Sequence, residues 1–389
     1  MSPMPSNSTR EAYAALQTCG PGTRGGRYLR RFWHPIARRG DCAPGAVTSL
    51  FILGEKRVLA RFSDGTHALF DDRCPHRGVP LSLGSIHGDT IRCPYHGWRF
   101  DALGQNVHAP GEPADRCSAA KATVRPLAEA FGLLFAWLGD GPPAPFPFAG
   151  VEPAQMVSYR LAPIEWPANF LLRLENTTDF SHLQGTHVDS GLAAWLPPAY
   201  RQNYTPLAHG HRIHLEAKTD PHQLLHAMAL GHPMTWQRPH FFHYRQPLFP
   251  GEPWRQHLTW HTPATDAQTR TFTVALVPSS DAAAFRVAHP EPGSPSTDIV
   301  ERAEEVITGQ TTLANLQGHP NLTEIEDCVM VVAQHRAGGS LPSVLGRTDV
   351  GVASLRQHLG RDLLSTETHE GSTQQTMVDL ADLLVIDAE

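Results

Sequence analysis

The sequence predicts an α+β protein, with a small all-β domain followed by a larger domain that combines sheet and helix. Short alternating segments separated by turn signals such as Ser63-Asp64-Gly65 occupy the early part of the chain and are typical of strands. The proline-rich run GDGPPAPFPF, residues 139–148, then interrupts this pattern. Beyond it, strand patterns continue to about residue 285 and give way to helix patterns. Strands followed by helices indicate the α+β class.

The domain boundaries follow from these interruptions. The 389 residues suffice for two or three domains of ordinary size. We expect an N-terminal segment at residues 1–26, whose first ten residues are disordered, an all-β domain at 27–145, and a larger domain at 151–389. The elements expected within them are, in chain order, short strands from Val47 to Phe70, a closing strand from Phe131 to Gly139, a strand from Thr271 to Val277, helices from Ile299 to Val306 and from Asp349 to Leu363 with Asp349 as N-cap, and a last helix from Met377 to Ile386.

Composition excludes several classes of function. The net charge of −6 gives no electrostatic support for nucleic-acid binding. No apolar run reaches about 18 residues, so no membrane span is expected. The first ten residues, MSPMPSNSTR, lack the apolar region of a secretory signal. Of the six cysteines, Cys74 and Cys93 belong to a metal motif, and the other four are too few and too dispersed for a disulfide framework, so we expect a cytoplasmic protein.

Two short motifs indicate a first metal site. Cys74-Pro75-His76 and Cys93-Pro94-Tyr95-His96 each supply one cysteine and one histidine. Two thiolates and two imidazoles are the ligands of a Rieske [2Fe–2S] centre. A structural zinc site uses the same residue types, although zinc fingers usually group the cysteines together. Gly78 and Gly97 follow the ligands, where the backbone has to approach a cluster closely.

A second motif, ENTTDFSHLQGTH at residues 175–187, contains two histidines and two acids. Asp179 and His182 are three residues apart, which places them on one face of a helix, with Glu175 on the same side. His187 would lie about 140° away from His182 on a regular helix. The helix therefore has to end or distort between them, and Gly185 is suited to that.

Two histidines and one carboxylate form the facial triad of non-haem Fe(II) oxygenases, which leaves coordination positions open. Two alternatives remain for this motif. The histidines can be ordinary packing or surface residues in a chain with 23 of them, or they can belong to a zinc hydrolase site.

Together, in this order and spacing, the two motifs resemble the terminal oxygenase α-subunit of the Rieske non-haem iron oxygenases over nearly the whole chain. Glu129–Gly132 and Trp166 with Asn169 support the resemblance, and Leu345–Gly351 is similar to the phthalate- and carbazole-type branch. The resemblance implies a small all-β Rieske [2Fe–2S] domain beside a helix-grip catalytic domain with a large antiparallel sheet. It also implies a head-to-tail homotrimer.

The resemblance also implies the roles of individual residues. Cys74 and Cys93 would hold one cluster iron and His76 and His96 the other, while His182 and His187 would bind mononuclear Fe(II). A carboxylate far downstream would complete the triad, and the candidates are Glu324, Glu326 and Asp327. The family pattern favours Asp327, and the alternative is that Glu326 and Asp327 simply favour a helix N-terminus.

Asp179 has the position of the family's bridging aspartate, the one residue expected to serve catalysis without binding metal. It would accept hydrogen bonds from His96 of one subunit and His182 of the next, and so give the electron a short route. Arg77 and Trp98 are expected either to shield the cluster or to pack beside it.

The implied activity is monooxygenation of an aromatic or heterocyclic molecule by O2, meaning hydroxylation or oxidative demethylation. Electrons would come from a separate reductase, directly or through a ferredoxin, since no G-x-G-x-x-G follows a strand here. The pocket should fall within residues 188–290, which include the aromatic and histidine-rich run His240–Tyr244. The alternatives are cis-dihydroxylation of an aromatic ring and, more distantly, a Rieske electron carrier without catalysis of its own.

Overall fold

A computed structural model describes most of the chain. The described residues are 6–113, 120–152, 155–197, 199–217, 233–247, 252–290, 292, 297–338 and 344–368. The helix expected from Met377 to Ile386 lies outside them. Across the described ranges, no helix is long and apolar enough to cross a lipid bilayer.

The helices and strands of the described residues are numbered in chain order. The helices are α1 (Asn7–Ala15), α2 (Arg24–Leu29), α3 (Phe170–Thr178), α4 (His182–Thr186), α5 (Ala282–Ala288), α6 (Asp298–Ile307), α7 (Leu322–Arg336) and α8 (Val350–Thr368). The strands of the first half are β1 (Trp33–Arg38), β2 (Ala46–Ile52), β3 (Glu55–Arg61), β4 (His67–Asp71), β5 (Ser85–His87), β6 (Thr90–Arg92), β7 (Arg99–Phe100), β8 (Asn106–His108), β9 (Val124–Arg125), β10 (Leu127–Ala130) and β11 (Leu133–Trp137). Those of the second half are β12 (Met156–Arg160), β13 (Ile164–Trp166), β14 (Arg201–Leu207), β15 (Gly210–Glu216), β16 (Met234–Gln237), β17 (Phe241–Pro247), β18 (Trp254–Thr265) and β19 (Gln268–Pro278).

The strands of the first half form three small antiparallel sheets, in the orders β1-β11-β10, β2-β3-β4-β9 and β5-β6-β7-β8. The strands expected from Val47 to Phe70 are confirmed as β2, β3 and β4. The closing strand is shorter than expected, because Phe131 and Gly132 both have positive φ and turn the chain between β10 and β11. Cys74 and Cys93 lie in the apolar core shared by the second and third sheets.

One large antiparallel sheet dominates the second half, in the order β12-β19-β18-β17-β16-β15-β14, with β13 also paired to β19. The strand expected from Thr271 to Val277 is confirmed within β19. Helix α3 packs between this sheet and helices α7 and α8. Asn169 caps α3 by accepting a hydrogen bond from the Leu171 N–H (3.1 Å). The small all-β part and the large sheet with its helices confirm the predicted fold class.

The N-terminal segment packs against the end of the second half. The expected disorder is wrong for residues 7–10, which lie in α1, and Ser6 caps that helix by accepting from the Thr9 N–H at 3.2 Å. Ala12, Tyr13 and Leu16 are buried, and α1 packs on α8. Leu16 follows Ala12 and Tyr13 by four and three residues, and this spacing was the sign in the sequence that a helix lies here.

Two of the expected helices are confirmed. Helix α6 covers the region predicted from Ile299 to Val306. Helix α8 begins directly after Asp349, whose carbonyl accepts from the Ala353 N–H at 2.9 Å. The Asp349 carboxylate instead accepts from the Gly346 N–H, so it stabilises the preceding turn rather than the first turn of the helix.

Candidate metal centres

The two Cys-Pro loops have the same backbone construction. In each loop the cysteine N–H donates to a carbonyl five residues ahead, and the glycine N–H four residues ahead donates back to the cysteine carbonyl. The bonds are Cys74 N to Val79 O (2.9 Å) and Gly78 N to Cys74 O (2.9 Å) in the first loop, and Cys93 N to Trp98 O (2.8 Å) and Gly97 N to Cys93 O (3.1 Å) in the second. Each loop is therefore fixed by its own backbone.

The glycines of these loops occupy the left-handed region. Gly78 has φ 75° and Gly97 has φ 72°, which side chains with a Cβ adopt only at a cost. A Cβ on Gly97 would also meet the Pro110 side chain at 3.3 Å. The glycines expected from the sequence are thus required by the turn itself.

The four predicted cluster ligands converge, with the cysteines inside and the histidines outside. Cys74 and Cys93 are each 2 % exposed, whereas His76 is exposed and His96 half-buried. The two imidazole centroids lie 4.5 Å apart. A cluster held here would have its histidine-bound iron at the molecular surface.

The protonation of these groups suits an iron cluster. Burial, aided by the neighbouring Cys93 thiol, raises the pKa of Cys74 to about 11, so a thiolate at this position needs a cation beside it. Burial, His76 and Arg77 lower the pKa of His96, which favours the neutral imidazole that metals bind. Two thiolates and two neutral imidazoles fit a [2Fe–2S] centre.

Trp98 and Arg77 differ in their contacts. The Trp98 ring stacks parallel to the His76 ring at 4.3 Å and limits its orientation. The Arg77 guanidinium lies 5.5 Å from the centre of the Tyr95 ring. Trp98 thus contacts a candidate ligand through its ring, and Arg77 contacts another through its backbone N–H, which donates to the Cys74 thiol.

The second candidate centre consists of His182, His187 and Asp327. The two Nε2 atoms are 3.2 Å apart, and each lies 3.3 Å from Asp327 Oδ1. Three ligands on one face of an octahedral metal, with bonds of about 2.0–2.2 Å, are roughly 3 Å from one another. The residues therefore fit a facial triad, and no other group of three possible ligands converges this closely among the described residues.

The local route to this arrangement differs from the prediction. Helix α3 ends at Thr178, and Asp179 is extended, so Asp179 and His182 do not share a helix. Helix α4 ends at Thr186, which confirms that the helix ends between His182 and His187. Gly185 lies within α4 and lacks a positive φ, so the special role expected of it is wrong.

Glu175 does not face the triad, contrary to the prediction. Its carboxylate accepts hydrogen bonds from the Tyr13 hydroxyl (2.8 Å) and from the Arg356 guanidinium (2.7 and 2.9 Å). These partners hold Glu175 on the side of α3 that packs against α8, where Tyr13 of α1 also reaches it.

Both imidazoles are oriented through Nδ1. His187 Nδ1 lies 2.8 Å from Glu326 Oε2, and His182 Nδ1 donates to the Asp179 carbonyl. A donor hydrogen at Nδ1 leaves the Nε2 lone pair facing the triad. Glu326 is fully buried and also accepts from the Ser190 N–H at 3.0 Å. The sequence had offered Glu326 as a ligand, and the structure makes it an orienting residue.

Two residues that the sequence did not single out hold the triad carboxylate. Arg173 donates to Asp327 Oδ2 (3.3 Å), and Asn176 donates to Asp327 Oδ1 (3.0 Å). The Arg173 guanidinium also lies 4.3 Å from the Trp166 ring centre. Their shared position on one face of α3 is the signal that could have identified them.

The charges around Asp327 favour its ionised carboxylate, which is the form that binds metal. Burial alone raises the pKa of Asp327, but Arg173 and the two imidazoles outweigh it and hold that pKa well below its usual range. For His187, burial lowers the pKa, yet Asp327 and Glu326 together raise it. Glu324, the remaining candidate, stays outside the triad, where burial chiefly raises its pKa.

The Asp179 carboxylate makes local bonds in this single chain. Its Oδ1 accepts from the Ser181 N–H (2.8 Å) and the Ser181 hydroxyl (2.5 Å). Its described contact with His182 is made by the carbonyl rather than the carboxylate. The bridge to His96 of another subunit stays a prediction.

A cavity of about 220 Å³ adjoins the triad. Its wall combines apolar and hydrogen-bonding side chains, among them Phe180, Leu183, Leu192, Leu196, Leu215, Met234, Tyr244, His257, Thr259, His261 and Thr273. From the run His240–Tyr244, Tyr244 is a lining residue, whereas Phe241 and Phe242 are buried in the core. A larger cleft of about 1000 Å³ beside β1, β2 and β13 is lined by none of the candidate ligands.

Known proteins are similar to this chain in sequence. Residues 32–125 match the Rieske [2Fe–2S] domain family, which confirms that domain around the first site. The chain is 33% identical over 183 residues to the 5,5'-dehydrodivanillate O-demethylase oxygenase subunit of Sphingobium sp. (strain NBRC 103272 / SYK-6), covering 45% of this chain and 42% of that one. It is 31% identical over 220 residues to the 3-chlorobenzoate-3,4-dioxygenase oxygenase subunit of Comamonas testosteroni, covering 56% and 48%.

The chain thus spans less than half the length of either curated relative. Among solved structures, dicamba monooxygenase bound to dicamba superimposes with a TM-score of 0.62 at 21% identity, covering 88% of this chain and 99% of that one. This likeness extends over both halves of the chain, and at that identity it bears on the fold.

Proposed function

We propose that this chain is a Rieske-type terminal oxygenase that uses O2 and externally supplied electrons to monooxygenate an aromatic or heterocyclic small molecule. The reaction would be a hydroxylation or an oxidative demethylation. One observation carries the proposal: the His182, His187 and Asp327 ligand atoms converge at the wall of a 220 Å³ cavity, in a chain that also has a Rieske domain. An electron carrier would need neither the triad nor the cavity.

The residues of the two sites have separate roles. Cys74, Cys93, His76 and His96 would hold the cluster, and His182, His187 and Asp327 would hold mononuclear iron. Bound there, Fe(II) supplies the O2 chemistry and keeps positions open for it. Glu326 and the Asp179 carbonyl fix the two imidazoles, and Arg173 with Asn176 fixes the carboxylate.

The cavity wall would position the substrate and exclude water. Leu183 lies between the two ligand histidines, and Leu192 and Leu196 follow them, so substrate binding and metal binding would share one stretch of chain. A cavity whose wall combines apolar side chains with hydrogen-bonding groups suits a small organic molecule that carries polar substituents.

The relatives support this reaction class. One is named an O-demethylase and the superimposed structure a monooxygenase, which favours hydroxylation or demethylation. The relative named a 3-chlorobenzoate-3,4-dioxygenase favours a second candidate, cis-dihydroxylation of an aromatic ring.

The remaining parts of the proposal concern assembly and partners. We place the chain in the phthalate- and carbazole-type branch, in the cytoplasm, as a homotrimer in which Asp179 links His96 of one subunit to His182 of the next. A separate reductase, directly or through a ferredoxin, would deliver electrons to the cluster. The outward position of His76 and His96 supports this, because a partner can approach them closely. The units proposed are residues 27–145 and 151–389, with 1–26 as a leading segment.

The test is product mass from reduced, iron-loaded protein under labelled O2. The substrates are aromatic acids, amines and N- or O-methyl heterocycles. One labelled oxygen gained, or a methyl lost as formaldehyde, supports monooxygenation, and two labelled oxygens in one product move the assignment to dihydroxylation. Iron analysis of the same sample should give about three irons per chain, two in the cluster and one mononuclear. Two irons and no product would indicate a carrier.

A further inference from the structure

His257 is buried at the cavity wall, and among the described residues its ring has no hydrogen-bond partner. It is 0 % exposed, and neither ring nitrogen is bonded to any protein group in the described residues. His261, four residues along the same strand, gives a contrast: its Nε2 lies 2.9 Å from the Thr177 hydroxyl and its Nδ1 2.8 Å from the Thr271 hydroxyl. Other buried polar atoms of the described residues also lack a partner, both polar atoms of Gln237 among them, but His257 differs from Gln237 in lining the cavity beside the triad. Buried polar groups are normally bonded, and at this position a molecule in the cavity can supply the partner.

The position of His257 places it away from the triad. Side chains two apart on a strand share a face, and His257, Thr259 and His261 all line the cavity. At about 3.3–3.4 Å per residue, His257 lies roughly 13 Å along β18 from His261. His261 marks the triad end, because its partner Thr177 adjoins Asn176, which donates to Asp327.

The neighbours of His257 do not occupy its nitrogens. Across the sheet it is paired with Ala275 on one side, whose small side chain leaves room for the ring, and with Tyr244 on the other. The Tyr244 hydroxyl lies 3.0 Å from the Thr259 hydroxyl, so it is engaged there.

The chemistry of this end of the cavity suits an uncharged group. Burial, chiefly, lowers the pKa of His257 to about 3, so at neutral pH the ring offers one N–H donor and one acceptor nitrogen. The two arginines in the cavity wall are already engaged: Arg173 with Asp327, and Arg245 with the Trp254 carbonyl (3.2 Å).

We infer that His257 is a specificity-determining residue that bonds a neutral polar substituent, such as a phenolic hydroxyl, on a single-ring aromatic substrate. This inference rests on the proposed function and names the substrate class for it. A 220 Å³ cavity exceeds the engineered cavity of about 150 Å³ that takes up benzene, so one substituted ring fits.

The test is anaerobic binding calorimetry on the iron-loaded protein with three probes. These are 4-methoxyphenol, anisole, which lacks the polar group, and 4-methoxybenzoate, which is anionic. We expect 4-methoxyphenol to bind about 10-fold more tightly than anisole, the value of one hydrogen bond. His257→Phe should remove that difference and leave anisole unchanged, and His257→Gln should restore part of it. Three outcomes would overturn the inference: an equal loss of affinity for all three probes in His257→Phe, no binding of any probe to the wild type, or tighter binding of 4-methoxybenzoate than of the other two.

Thermal unfolding without ligand separates recognition from structure. His257→Phe should not lower Tm, because the nitrogens it removes have no protein partner, whereas His261→Phe should lower it. An equal fall in both variants would make His257 a structural residue. Binding is measured without turnover, so discrimination by the wild type with no oxygenated product would refute the proposed function alone. Normal probe affinities in His257→Phe, with product formed, would refute this inference alone.

Discussion

The two candidate metal centres are built in different ways. The four cluster ligands all come from residues 74–96, in two loops whose backbones bond to themselves. The triad joins His182 and His187 to a helix far along the chain, and 139 residues separate His187 from its orienting partner Glu326. The first centre has one exposed histidine, His76, and one half-buried histidine, His96, whereas the second buries His187 and Glu326 almost completely.

This difference has a physical consequence. A centre made of self-bonded loops, whose cysteines lie in a core built from the first half alone, needs little from the second half of the chain, and it can face a redox partner. A centre assembled between α4 and α7 exists only when those helices are packed, and its buried acids must keep their partners. We therefore expect the cluster to tolerate damage to the second half of the chain, and the triad to be sensitive to single contacts.

The largest expected effect separates the two centres. His182→Ala should remove the mononuclear iron and abolish product formation, while the Rieske visible spectrum and about two irons per chain remain. Cys93→Ser should remove the cluster spectrum. The measurement is iron analysis with absorbance. Retention of the third iron in His182→Ala would contradict the triad.

Asp179→Asn should leave both centres filled and nearly abolish turnover. The amide oxygen can still accept from Ser181, so the local turn survives, but the proposed bridge between imidazoles loses its carboxylate. Steady-state turnover with a normal reductant is the measurement, and Ser181→Ala, which keeps the carboxylate, is the matched control. Full activity in Asp179→Asn would refute the bridging role.

Glu326→Gln should weaken metal binding by about 10–100-fold, the usual effect of losing a charged partner behind a ligand histidine. Competition with a chelator measures this. Glu324→Gln is the control. Glu324 lines the cavity but lies outside the triad, so the metal affinity of this variant should differ little from that of the wild type. A larger loss in the control would reverse the roles given to the two acids.

Acid should destabilise the second half of the chain. Burial lowers the pKa of His211 and His257 to about 3 and holds that of His240 and His261 well below 6.5. Between these values and 6.5 the unfolded chain binds more protons, so stability is complete above about pH 6.5 and falls as pH falls toward 4. Tm measured from pH 7.5 to 4.5 should decrease, and a constant or rising Tm would contradict neutral buried histidines.

The smallest expected effect compares two glycines. Gly97→Ala should cost about 1–2 kcal/mol of unfolding free energy, because Gly97 has φ 72°. Gly185→Ala should be neutral or stabilising by up to about 1 kcal/mol, because Gly185 is helical and a Cβ there meets nothing within 4 Å. Denaturant titration of both variants measures the contrast. Equal costs would mean that the loop turn does not need glycine.

The cluster loops were predictable because ligands, glycines and turn are adjacent in sequence. The fold class was predictable from strand and helix patterns for the same local reason. The helix boundary at Thr178 was missed because TTDFS contains neither glycine nor proline to mark it. Because this boundary was missed, Asp179 and Glu175 were wrongly predicted to lie on the same helical face as His182.

Tertiary packing accounts for what the sequence could not give. Glu326 and Asp327 are neighbours on α7 with the same chemistry, and family resemblance, not periodicity, favoured Asp327. Their roles separate only when α7 meets α4, which puts Glu326 behind His187 and Asp327 in front. Likewise His257 is one of 23 histidines, and nothing local indicates that its nitrogens lack partners.

The Tyr13–Glu175–Arg356 contact has a practical side for protein engineering. Trimming the N-terminus beyond Tyr13 would take a hydroxyl away from the buried carboxylate of Glu175 in α3, seven residues before His182. Purification tags and fusion partners therefore belong ahead of Ser6 with a flexible spacer, since a rigid attachment would pull on the helix that precedes the candidate ligands His182 and His187.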